Sequence, residues 1–230
     1  MGIRDGLPIC FGYFAVSFAF GIFAVEAGLS IIEAVMISAL NLTSAGQLAA
    51  VPIISGGGGF IELALVQLII NARYSLMSVS LSQRMGLNIR TSDRFAIAFA
   101  NTDEVFAVSM SKEAMLGRRY MYGLIITPFL GWTLGTLFGA VAGNVLPAIL
   151  VSALGIAIYA MFIAIVVPAA KSSLKVAAAA LSAVALSCIF FYIPTLSEIP
   201  SGFTIIIIAV LVSLVMAILA PISEEGECDA

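Results

Sequence analysis

Eight apolar runs follow one another along the chain, at residues 8–25, 31–55, 60–81, 95–110, 120–146, 148–169, 174–193 and 203–222. Most have the roughly 20 residues that a helix needs to cross the hydrocarbon of a bilayer. Two depart from that pattern. Run 31–55 carries Asn41, Thr43, Ser44, Gly46 and Gln47 at its centre, and run 95–110 is short, with Asn101, Asp103 and Glu104 in its middle. An amide or hydroxyl left unmet in hydrocarbon costs several kcal/mol, and glycine weakens helix continuation. A polar centre in an apolar segment is therefore the pattern of a broken helix, whose freed backbone groups can hold a small polar solute at mid-membrane. The other reading of 31–55 is a continuous helix whose polar residues bond its neighbours.

Composition fixes the class. With 62% hydrophobic and 10% charged residues, the chain has too many apolar runs for any soluble core, which predicts an all-α polytopic membrane helix bundle. A mean hydropathy of +1.16 agrees. Residues 1–222 read as one transmembrane domain and 223–230, SEEGECDA, as an acidic, solvated tail. Run 8–25 is longer than a signal-peptide core and reads as a retained first span.

Charge then sets the topology. Arg84, Arg90 and Arg94 precede run 95–110, and Lys112, Arg118 and Arg119 follow it. The positive-inside rule puts both loops in the cytoplasm, so the run between them must turn back. If Arg4 marks a cytoplasmic N-terminus, run 31–55 turns back too, giving six full spans, two discontinuous segments and a cytoplasmic C-terminus. Seven spans with the N-terminus outside is the alternative. A three-plus-three inverted repeat needs a different parity.

Several side chains carry candidate chemistry. An intramembrane carboxylate at Asp103 or Glu104 is a proton or cation site by default, and adjacent helical positions point about 100° apart, so at most one of the pair is expected at a transport cavity while the other meets solvent or a basic loop. The alternative is a cytoplasmic amphipathic helix with both acids in water. Arg73, if it sits at membrane depth, can hold a carboxylate in bidentate fashion; otherwise it snorkels to the headgroups. Glu26, Glu33 and Glu62 read as interfacial. Gly131, Gly135, Gly139 and Gly143 form a bare ridge for close packing against a helix of this chain or of another subunit. The chain has no histidine, no GxxxxGK[ST] phosphate loop and no cysteine spacing for metal, so the residues point to no enzyme, no cofactor and no metal site. Nothing in it suits nucleic acid.

The order GYFAVSFAFGIFAVEAGLS, AGQLAAV, INARYSLMSVSLS and NTDEVFAVS, over most of residues 7–110, resembles the large subunit of the AzlC-type branched-chain amino acid exporters. The resemblance implies efflux of leucine, isoleucine, valine and analogues across the plasma membrane, with a small AzlD-type multispan membrane subunit as partner. Gln47, Asn71, Arg73, Asp103 and Glu104 fall in the shared motifs. For a zwitterion held at mid-membrane, the broken-helix N-termini near Asn41 to Gln47 or Asn101 to Asp103, with Arg73, suit the carboxylate. Asp103 or bare carbonyls suit the ammonium. Replacing Gln47 or Asn71 by leucine is expected to weaken binding and spare the fold, and Asp103 is the first choice for proton coupling, ahead of Glu104.

Overall fold

The structure, a computed structural model, describes residues 1–86, 89–112, 114–147, 149, 163 and 166–219. Two long helices, α1 (Gly2–Glu26) and α7 (Arg118–Val145), form its spine. They run parallel and in register: a Cβ on Gly131, Gly135 or Gly139 would strike Cys10, Phe14 or Phe18 of α1, and one on Gly6 or Gly21 would strike α7. At Gly131 the clash is with the Cys10 carbonyl oxygen, at 2.5 Å. Lipid tails are as apolar as leucine, so helices in a bilayer gain most from such close backbone approach. The glycine ridge thus packs against a helix of the same chain.

Because α1 and α7 are parallel, their N-terminal ends define one face of the bundle and their C-terminal ends the other. α2 (Ile31–Leu40) starts at the second face, where the Ser30 hydroxyl and the Glu33 carboxylate form a capping box. The chain breaks at Asn41 to Thr43 and returns as α3 (Ser44–Ser55). Ala34 of α2 and Val51 of α3 share one buried cluster with Phe20, Ala24 and Ala140, all near that second face. The segment is therefore re-entrant. α4 (Phe60–Gln83) then crosses to the first face, where Leu81 joins Ile9, Met121 and Leu124 in a separate cluster.

There α5 (Thr91–Phe99) and α6 (Asp103–Met110) repeat the arrangement from the opposite side. Asp93 at the start of α5 pairs with Arg118 at 3.1 Å, and Lys112 just beyond α6 pairs with Asp5 of α1 at 2.8 Å. The two basic loops lie side by side, with the Leu116 N–H donating to the Arg84 carbonyl at 2.9 Å. Both flank one face, as the charge pattern predicts, and both segments turn back. The bonded Asp5 carboxylate holds the Lys112 ammonium above its usual range.

α8 (Leu174–Tyr192), the short α9 (Pro194–Ser197) and α10 (Ser201–Leu219) follow as a hairpin whose sides are almost wholly outward-facing and apolar. Its turn lies at the second face. The Gly202 N–H of α10 donates to Glu62 Oε1 at 2.8 Å. Glu62 sits at the start of its span as expected, and is 7% exposed because the protein, not solvent, surrounds it. Its carboxylate takes the Gly202 N–H at the positive end of α10, and that compensates its burial. Five described helices are long and apolar enough to cross a membrane. The sixth span expected at 148–169 lies mostly outside the described residues, and the acidic tail at 223–230 lies wholly outside them.

Candidate functional site

The two breaks face each other at mid-depth, in the polar layer between the two apolar clusters. At the first, Thr43 is extended and its hydroxyl accepts from the Gly46 N–H at 3.4 Å, starting α3. At the second, Thr102 does the same for Val105, also at 3.4 Å, starting α6. A capping threonine satisfies one of the donors that a helix start leaves unpaired. The remaining donors, with the positive ends of both helix dipoles, point toward the space between the breaks.

That space is a cavity of about 510 Å³, bordered by Ser44 of α3, by Asp103 and Glu104 of α6, by Arg73 and Tyr74 of α4, and by Tyr13 of α1. Arg73 Nη1 lies 2.8 Å from Asp103 Oδ2, its Nη2 donates to the Tyr74 hydroxyl at 3.1 Å, and the guanidinium sits 4.8 Å from the centre of the Tyr74 ring. It does not snorkel. The Tyr13 hydroxyl donates to Glu104. Pro8, Ile9, Val16, Leu42 and Trp132 form the apolar wall.

Both acids border the cavity, which corrects the expectation that one of them faces elsewhere. The 100° separation applies to a cavity on the side of a helix. Asp103 and Glu104 open the first turn of α6, so the cavity wraps around the helix end and both carboxylates reach it. The amphipathic surface-helix alternative fails as well, because the tip of the segment touches the middle of α4 and α1.

Gln47 stands apart. It is fully buried and lines neither this cavity nor the smaller one described below. Trp132 Nε1 donates to Gln47 Oε1 at 3.0 Å, and Gln47 Nε2 donates to the Ser38 hydroxyl at 2.8 Å. Ser38 and Thr136 hydroxyls lie 2.6 Å apart, and Thr136 donates to the Trp132 carbonyl at 3.2 Å. The four residues close a circuit of hydrogen bonds that ties both arms of the first broken segment to α7.

Gln67 is a second clamp. Its Oε1 accepts from Asn41 at 3.1 Å and Asn71 at 3.0 Å, and its Nε2 donates to the Gly46 carbonyl at 2.8 Å. A Cβ on Gly46 would lie 2.6 Å from Gln67 Oε1, so a larger residue there would displace the clamp. Behind this clamp lies a smaller cavity of about 160 Å³, bordered by Asn41, Thr43, Asn71, Tyr74 and Asn101 and by the C-terminal ends of α2 and α5.

Of the positions singled out in the sequence, then, Ser44, Arg73, Asp103 and Glu104 meet at the larger cavity, and Asn41, Thr43, Asn71 and Asn101 at the smaller. Gly46 and Gln47 brace the break. Sequence reasoning passed over Tyr13, Tyr74, Trp132 and the bracing role of Gln67. The signals existed: aromatic residues with polar tips at mid-span, away from the interfacial belts, need partners, and Gln67 shares a helix face with Asn71 four residues on.

Fold and site define a polytopic α-helical membrane protein of the broken-helix kind, with a charged cavity at mid-depth. The chain belongs to the AzlC family: a family model described as AzlC protein matches residues 8–146. It is 32% identical to an Escherichia coli protein named inner membrane protein YgaZ, over 80% of this chain and 79% of the relative. It is 30% identical to an uncharacterized membrane protein of Archaeoglobus fulgidus, over 81% and 82% respectively. A Helicobacter pylori membrane protein, also uncharacterized, is 26% identical over 61% of this chain and 64% of its own. No solved structure matches the chain.

Proposed function

We propose that the protein is a secondary transporter that exports branched-chain amino acids and close analogues across the plasma membrane, working with a small AzlD-type membrane subunit. The observation that carries this reading is the Arg73–Asp103 pair, at 2.8 Å, on the wall of a cavity flanked by two helix N-termini and an apolar surface. A zwitterion presents the same two charges. Its carboxylate exchanges for Asp103 at Arg73 and takes N–H donors from the start of α3 near Ser44. Its ammonium exchanges for Arg73 at Asp103, with Glu104 beside it. Ile9, Val16, Leu42 and Trp132 receive the side chain. An apolar wall separates leucine from valine by only about 1–3 kcal/mol, so the range is broad across aliphatic side chains. Protonation of Asp103 releases Arg73 for the substrate carboxylate and leaves the ammonium to Glu104, so proton and amino acid are linked at one cluster of charges.

The orientation follows from charge. Arg84, Arg90, Arg94, Lys112, Arg118 and Arg119 flank the face where α1 begins, and the positive-inside rule makes that face cytoplasmic. Cysteines placed singly at Ile3 and Gly117, in a background without native cysteine, are expected to react only with a reagent that enters the cell. One at Gly57 is expected to react from outside.

The decisive experiment is counterflow in vesicles holding both subunits. Labelled leucine is expected to accumulate transiently against unlabelled leucine inside, with competition by isoleucine and valine. Simple equilibration without overshoot means a passive pore, and no leucine movement at all removes the transport reading.

A further inference from the structure

The smaller cavity is used by none of this chemistry, and its electrostatics are the reverse of the larger one. The larger is bordered by the starts of α3 and α6; the smaller is bordered by the ends of α2 and α5, through Leu40, Asn41, Ala98, Phe99 and Asn101. The last carbonyls of a helix carry the negative end of its dipole, and although those of Ile97 and Ala98 in α5 accept from the Ala100 and Asn101 N–H groups at 3.2 Å, each carbonyl oxygen keeps a second lone pair. Two such ends converge from opposite faces of the bundle. A second, independent observation concerns side chains. Asn71 and Asn101 border this cavity, and the Oδ1 of each is buried without a hydrogen-bond partner among the described residues. Asn101 is only 3% exposed, with its Nδ2 engaged by Ser78 at 3.3 Å, and the Nδ2 of Asn71 is engaged by Gln67. In each amide the donor is held and the acceptor is left facing nothing. Buried acceptors without a donor are costly, and two of them on residues that border one cavity call for a ligand.

We infer that this cavity is a site for a small monovalent cation, sodium by ligand type, held by Asn71 Oδ1, Asn101 Oδ1 and the terminal carbonyls of α2 and α5. Neutral oxygens suit a hard, singly charged ion. No carboxylate borders the cavity, so nothing there offsets a second positive charge. Leu42 and Tyr74 border both cavities, which gives the ion a direct mechanical link to the solute in the larger one. This goes beyond the transport reading and does not depend on which solute the larger cavity takes.

The test is binding of ²²Na⁺ to the full chain purified in detergent, read against choline chloride at equal ionic strength. Saturable binding is expected, with a matching rise in thermal stability as sodium increases. Asn101→Leu and Asn71→Leu are each expected to weaken it by about tenfold or more, one lost ligand being worth on the order of 1.4 kcal/mol. Asn101→Asp is expected to keep or tighten binding, since it retains the oxygen and adds charge; a merely structural asparagine gives no such gain. Asp103→Asn is expected to leave sodium binding intact. Absence of saturable binding by the wild-type chain overturns the inference and leaves water as the occupant. So does binding lost in Asp103→Asn and retained in both leucine variants, because the ion then sits in the larger cavity. A failure of leucine counterflow with sodium binding intact removes the transport reading alone.

Discussion

In the first broken segment the chain leaves the helix at Asn41 and resumes at Thr43, and in the second it leaves at Ala100 and resumes at Thr102; each time a threonine hydroxyl takes the N–H three residues on, at 3.4 Å. The two enter from opposite faces and meet. From there they differ. Around the first break every bond described is between neutral groups, and Gln47 and Gln67 hold it to α7 and α4. Around the second, Asp103 and Glu104 meet a guanidinium and a phenol at a cavity surface. A closed neutral circuit offers a passing solute nothing to exchange with. A charged pair at a cavity does, because a zwitterion brings a replacement for each partner. Similar backbone breaks thus make one anchored tip and one tip with exchangeable partners.

The comparison can be broken most severely at Arg73. Arg73→Ala leaves Asp103 without its counter-charge and the carboxylate subsite empty, and is expected to lower leucine exchange by about 100-fold or more, equivalent to roughly 2.7 kcal/mol. Normal exchange by a folded Arg73→Ala protein would place the solute elsewhere. Asp103→Asn comes next: it keeps the shape but cannot titrate. Accumulation driven by an imposed pH gradient is expected to vanish while some downhill exchange survives, and accumulation at the native rate in both Asp103→Asn and Glu104→Gln clears the second break of any part in coupling.

At the first break the expected cost moves from transport to stability. Gln47→Leu strips partners from Trp132 Nε1 and Ser38 in a buried place, a loss of about 1–3 kcal/mol. Thermal unfolding in detergent should register it, with the substrate KM of the surviving protein unchanged; a raised KM at native stability would make Gln47 a binding residue. The smallest effects are expected from the matched caps. Thr43→Ala and Thr102→Ala should each cost about 1 kcal/mol. Only Thr102→Ala is expected to alter transport as well, because it loosens the turn that presents Asp103. Equal transport in the two would erase the contrast between the tips.

Much of this was legible in the sequence. NLTSAGQ announced the first break, and equal positive charge on both sides of 95–110 announced the second, because both are local conflicts with a continuous span. The roles of individual side chains were less accessible. Gln47 looked like a ligand because a polar residue at mid-membrane needs a partner, but Trp132, the partner it found, lies 85 positions away. The two-acid problem was misread by treating α6 as a cylinder seen from the side, when its end borders the cavity. The burial of Glu62 is hidden from the sequence because the start of α10, 140 residues on, is what covers it. The smaller cavity was invisible for the same reason, since it exists only where two helix ends from opposite faces come together.

The parallel pairing of α1 and α7 also bears on how the protein is made. The glycine faces that fit α1 to α7 are separated by about 120 residues of chain, and at roughly 5–20 residues per second the ribosome needs on the order of 6–24 s to supply the second helix after the first. During that interval α1 stands in the membrane without α7, the backbone at Cys10, Phe14 and Phe18 uncovered on that side. Its mean hydropathy of 1.9 over the best 18-residue window suits it to wait. The central helix pair of the finished protein is therefore among the later contacts to form, and a newly made chain stalled before Arg118 holds its first span in the membrane with no spine to join.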